Sequence, residues 1–190
     1  MKRTNKKFAF ILRAVALVLC ILAAFTSMAQ NATNGATQTT NLNLSDAIEL
    51  SFINGGGGTL NTTFTTASEL INGKETITQD LKVRSNKKFK VAVNSSAANF
   101  TYTGSATLNN IIPVSTGLQV MVTANNTGGS LTLSALLGYV GLTFGSSTTL
   151  LTNCSQGSNQ TFTVKYKATP GILAAPGSYT ADVVFTATQL

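Results

Sequence analysis

Six carboxylates and no histidine make up the acid–base inventory of this 190-residue chain. Without histidine, the commonest general base, the usual hydrolase triads and most transition-metal sites are missing. Asp46 and Glu49 lie close in sequence, as do Glu69 and Glu75. A glycosidase needs two carboxylates across a cleft, and nothing in the pattern marks such a pair. Each acid reads as a solvated turn or strand-edge charge. A Ser–Lys enzyme stays formally open, but no serine sits in a recognisable nucleophile turn. Gly55-Gly56-Gly57-Gly58 is followed by neither the Lys-Ser/Thr nor the helix of a phosphate-binding loop, so it reads as a flexible turn. The expectation is a protein that is not an enzyme and carries no cofactor or metal.

The residues with binding chemistry are Lys82, Arg84, Lys88 and Lys90, four of the five cations within nine positions. They suit contact with anionic envelope polymers such as lipopolysaccharide or acidic glycan. The plainer reading is a solvated or lysine-protected sheet surface that blocks edge-to-edge pairing. Sugar platforms need exposed aromatic faces. The chain has no Trp, and Phe52, Phe89, Phe162 and Phe185 fall on expected core faces, leaving Tyr102 and Tyr139 as the loosely placed candidates. Asn-x-Ser/Thr triplets such as Asn61-Thr62-Thr63, Asn99-Phe100-Thr101 and Asn125-Asn126-Thr127 matter only where the source glycosylates them.

The elements expected to position these residues are strands. Leu42, Leu44, Ile48, Leu50 and Phe52 alternate up to the glycine run, and Leu60–Thr66 reads as a second strand. Over Thr76–Asn94, Ile77, Gln79, Leu81 and Val83 share one face. Ser85–Lys87 supplies turn residues, and Phe89, Val91 and Val93 return to that face. This predicts a β-hairpin with one dry and one basic face. Further strands are expected at Asn99–Thr103, Gly117–Thr123 and Ser130–Leu133, with Pro113 in a connection. Leu136–Leu151 fits neither period. Phe162–Lys167 and Tyr179–Ala187 alternate again, around a loop bracketed by Pro170-Gly171 and Pro176-Gly177. No amphipathic helical window of useful length follows residue 30. Many short strands with turn signals between them predict an all-β fold, an antiparallel sandwich with two close inner faces.

Compartment comes from the N-terminus. Lys2, Arg3, Lys6 and Lys7 precede an apolar stretch from Phe8 to Phe25, and Ser27-Met28-Ala29 supplies a small-x-small end. These are the three parts of a secretory signal peptide. The run Ala14–Phe25 after Arg13 is shorter than the roughly 20 residues of a bilayer-spanning helix. The expected organisation is a signal peptide at 1–29, a flexible polar leader at 30–41 and one β-sandwich domain at 42–190, exported to periplasm, cell surface or medium. No transmembrane segment is expected after cleavage. Five of the 13 basic residues leave with the signal, so eight face six acids and the mature charge is about +2. A nucleic-acid partner loses its main support. Cys20 leaves too, and Leu19 before it does not fit a lipoprotein signal. Cys154 remains, as a buried apolar residue or, alternatively, an intermolecular disulfide.

Lys165-Tyr166-Lys167-Ala168 and the ending Pro176-Gly177-Ser178-Tyr179-Thr180-Ala181-Asp182-Val183-Val184-Phe185-Thr186-Ala187-Thr188 resemble the last two strands of bacterial secreted immunoglobulin-like surface domains, including WxL-type and fimbrial or spore-coat-U-like proteins. Leu81–Val91 is similar to a hairpin of such proteins. The resemblance implies an immunoglobulin-like sandwich and an exported structural or adhesion-type role, with envelope polymers or other surface proteins as partners. It transfers no functional residue. A carbohydrate- or anionic-glycan-binding module is the alternative. A fimbrial-type subunit is a second alternative, which the polarity of Gln30–Asn41 disfavours for strand donation.

Overall fold

Seven residues with every second side chain fully enclosed are what a central strand looks like, and the chain has two in succession. The computed structural model describes residues 38–54 and 57–190. Within it β3 (Gln79–Ser85) buries Leu81 and Val83, and β4 (Phe89–Ser95) buries Phe89, Val91 and Val93. The signal peptide and most of the polar leader lie outside the described residues. Leu44–Leu190 forms one compact unit. No helix among the described residues is long and apolar enough to cross a membrane.

The fold is all-β and antiparallel. The first sheet runs β1 (Ile48–Phe52), β3, β10 (Gly157–Ala168), β6 (Leu118–Asn126) and β8 (Val140–Gly141), with β2 (Lys74–Glu75) on the far end of β10. The second runs β12 (Val183–Gln189), β4, β9 (Thr148–Cys154) and β7 (Ser130–Leu131). A two-stranded piece pairs β5 (Thr101–Thr103) with β11 (Ser178–Thr180). Leu81, Val83, Val120, Phe162 and Val164 of the first sheet share one apolar cluster with Phe89, Val91, Val93, Leu150 and Leu151 of the second. Among the described residues, three short helices fill connections: α1 (Ala67–Asn72), α2 (Val114–Gly117) and α3 (Leu133–Leu136).

The expected hairpin over Thr76–Asn94 is corrected. Its strands form where the alternation places them, but β3 pairs with β1 and β10 while β4 pairs with β12 and β9. The turn between them carries the chain from one sheet to the other. Ser85 Oγ accepts from the Lys87 amide at 3.2 Å and donates to its carbonyl at 2.7 Å, fixing the change of direction. Period two identifies the buried face of a strand, not its neighbour. Two strands facing each other across a core show the same alternation as two strands side by side.

Other departures have local causes. Leu42 and Leu44 are exposed and outside any strand, because Asp46 interrupts their alternation before β1 begins at Ile48. Leu60–Thr66 forms no strand. Thr66 instead caps α1, its hydroxyl accepting from the Glu69 amide at 3.2 Å while Glu69 returns to the Thr66 amide. This Thr-Ala-Ser-Glu run is a capping box. Leu136–Leu151 contains β8 and most of β9, whose adjacent buried Leu150 and Leu151 obscure the alternation. Tyr179–Ala187 is divided at Ala181-Asp182 into β11 and β12, which belong to different sheets.

Candidate functional site

Lys82 and Arg84 leave the outer face of the first sheet, opposite to Leu81 and Val83. Lys90 leaves the outer face of the second sheet, opposite to Phe89 and Val91, and Lys88 is exposed just before it. The core therefore lies between the two halves of the expected basic face. Arg84 Nη1 is also 3.1 Å from Glu49 Oε2 on β1. The open depression beside it, lined by Ala47, Glu49, Arg84, Asn86 and Ser158, gathers no further basic residue.

Five carboxylates are engaged in structure, Glu49 with Arg84 as above. Asp46 pairs with Lys87 at 2.7 Å and Glu75 with Lys165 at 2.6 Å. Asp80 accepts from Thr163 Oγ1 at 2.7 Å. Glu69 accepts from the Thr65 amide at 2.7 Å and from Lys74 Nζ at 2.9 Å. The backbone amide first, and the Lys74 ammonium second, hold Glu69 down at about 2. Lys165, with help from the Tyr139 hydroxyl at 2.7 Å, likewise holds Glu75 below the ordinary carboxylate range. A general acid needs the opposite shift. Among the described residues, no three of Cys, Asp and Glu gather as metal ligands. Cys154 is fully buried in the core, where the Thr127 hydroxyl donates to its sulfur at 3.2 Å. Burial pushes its thiol up, which makes it a poor thiolate nucleophile.

The candidate sugar-stacking tyrosines hold structural hydrogen bonds through their hydroxyls. Tyr139 donates to Glu75, and its hydroxyl is pushed up by burial first and by that bond second. Tyr102 on β5 stands opposite Tyr179 on β11, with ring centroids 5.0 Å apart. Its hydroxyl donates to the Pro176 carbonyl at 2.9 Å and accepts from the Ala106 amide at 3.1 Å. The Tyr179 hydroxyl donates to the Ala175 carbonyl at 2.9 Å. Gly177 leaves room for this arrangement, because a Cβ there would press on the Tyr102 ring, 2.9 Å from Cζ.

These tyrosines build the feature that alternation did not reveal. They pin the loops 104–112 and 169–177 together. The Ala175 amide donates to the Asn109 carbonyl at 2.8 Å, with Asn109 in the left-handed region at φ 57°. The Gly171 amide donates to the Leu70 carbonyl of α1 at 3.0 Å, which adds the helix to the same end. Leu108 and Ile111 flank the first of these bonds, Ile172 and Leu173 lie between the two, and Ile71 follows Leu70. All five are 51% to 78% exposed. Five large aliphatic side chains therefore stand exposed on segments bonded to one another at one end of the domain. The available signal was Ile111, Ile172 and Leu173 inside turn-rich segments, apolar residues with no strand to bury them. Neither a model of a known protein family nor a curated protein sequence matches the chain.

Proposed function

We propose that this chain is an exported, non-catalytic structural or adhesion-type protein of a bacterial envelope, an immunoglobulin-like sandwich that works through its loop end. The observation that carries the reading is the set Leu108, Ile111, Ile172 and Leu173, exposed on loops that tyrosines hold in place, with Ile71 exposed on α1, which Gly171 bonds to the second loop. Fixed loops present apolar side chains without the ordering cost that mobile loops incur on contact. The carboxylates support a role without chemistry, since Glu69 and Glu75 are tied to lysines and held ionised. Export rests on the tripartite pattern of residues 1–29.

The test is retention in the source cell. The chain and a variant with Leu108, Ile111, Ile172 and Leu173 all changed to Ser are fractionated into cytoplasm, envelope and medium. The expected result is a chain processed near Ala29 and held in the envelope, with the variant released to the medium. An unprocessed cytoplasmic chain, or equal retention of both forms, overturns the reading.

A further inference from the structure

The edges of the two sheets are unequal. β7, β8 and β2 are two residues long each, and β1 carries Glu49. Short or charged edges resist pairing with another chain. β12 has neither protection. Its seven residues, Val-Val-Phe-Thr-Ala-Thr-Gln, include no charge and no proline, and its register with β4 runs without a bulge.

The hydrogen-bond parity of this edge can be read from its two ends. The Ser96 amide donates to the Asp182 carbonyl at 3.1 Å, and the Leu190 amide donates to the Lys88 carbonyl at 2.8 Å. Both bonds belong to the register that pairs Val183 with Ser95 and Gln189 with Phe89. Antiparallel pairs alternate between bonded and non-bonded. The even residues Val184, Thr186 and Thr188 therefore bond to β4. Val183, Phe185, Ala187 and Gln189 turn their amides and carbonyls to the open side. Among the described residues, no backbone hydrogen bond outside the β4 ladder reaches these four. β1 stands alongside, its Phe52 ring edge-on to Phe185 at 6.1 Å, while the Gln189 side chain reaches the Ala47 carbonyl. Those contacts use side chains and leave the β12 backbone unpaired.

We propose that β12 of one copy pairs antiparallel with β12 of a second copy about a two-fold axis at Thr186, joining their second sheets into one. In that register Val183 meets the second copy's Gln189, and Phe185 meets its Ala187. Every open backbone group of both strands is then satisfied, which no neighbouring two-fold register achieves. The outward faces match as well: Val184 lies opposite Thr188 and Thr186 opposite Thr186, and all are uncharged. Like charges facing each other would oppose such pairing, and here there are none. A two-fold contact of this kind is self-complementary and closes at the dimer. It is independent of the loop end.

The experiment uses residues 30–190 in a background where Leu108, Ile111, Ile172 and Leu173 are Ser, so association through the loop end is not read. Sedimentation velocity over a range of concentrations is expected to show a monomer–dimer equilibrium. Ala187→Pro removes one outward amide and no β4 bond. It is expected to keep the circular dichroism of the parent and raise the dimer dissociation constant at least about tenfold, for lost bonds on both strands. Thr186→Cys places two thiols across the axis at about 4.5 Å between Cβ atoms. It is expected to give a disulfide-linked dimer on mild oxidation, with Cys154 buried and silent. A monomer at every concentration overturns the proposal, as does a folded Ala187→Pro that dimerises like its parent. A dimer abolished by deleting residues 38–46 with β12 intact also overturns it, by assigning the strand to the leader. If Ala187→Pro does not fold, failure of Thr186→Cys to crosslink decides against it.

Discussion

The two ends of the domain are closed by opposite chemistry. At the turn end, Asn86 accepts from the Ala47 amide at 2.9 Å and donates to the Ser45 carbonyl at 2.8 Å, while Gln189 Nε2 reaches Asn86, Ser85 and Ala47. Ion pairs Asp46–Lys87 and Glu49–Arg84 surround them. At the loop end, tyrosines carry the hydrogen bonds and aliphatic side chains point outward. The turn end pairs its polar groups with one another. The loop end satisfies its backbone and leaves its apolar groups unpaired. Polar closure and exposed aliphatic side chains fall at different poles of one core.

Substitutions can break this division in graded steps. The largest effect belongs to what both ends share: Phe89→Ala removes a fully buried ring and is expected to cost about 3–5 kcal/mol, read as one cooperative denaturation transition. Asn86→Ala strips the turn end of its connector and is expected to cost about 1–3 kcal/mol while leaving dye binding at the loop end unchanged. Tyr102→Phe does the converse. It removes the hydroxyl between Pro176 and Ala106, with an expected loss of about 1 kcal/mol and faster proteolysis confined to loops 104–112 and 169–177. Changing Leu108, Ile111, Ile172 and Leu173 to Ser is expected to alter stability by under about 0.5 kcal/mol each, while lowering retention on a hydrophobic column.

The smallest effect is a pH slope. Glu69 titrates near 2 in the folded chain against an ordinary 4.5. A depressed folded value contributes stability above the ordinary value, and that contribution fades as pH falls from about 4.5 through 2. Its carboxylate is solvent-facing, so the slope is shallow. Thermal melts of the parent and Glu69→Gln between those limits are expected to converge at the acid end.

How far the sequence was legible follows from what alternation encodes. Leu81, Val83, Phe89, Val91, Val93, Phe162 and Val164 are all buried on the faces their spacing predicts. All-β class and most strand positions came from that period. Partnership did not, because Leu81 and Phe89 reach the same core from opposite sheets. The basic cluster dissolved for that reason: residues close in sequence leave the molecule on opposite outer faces. The loop end was illegible for a different reason. It depends on a hydroxyl on β5 reaching a carbonyl before β11, Tyr102 to Pro176, and no local pattern announces such a bond.

The position of β12 has a consequence for the order of events during folding. The last strand of the chain pairs with β4, Gln189 against Phe89, and flanks the core with Val183 and Phe185. Most of the described chain separates β4 from this neighbour. Pairing across so long a loop is slow, and that side of the core closes only when β12 docks. β12 is therefore a late arrival that completes the second sheet, not the strand that starts it.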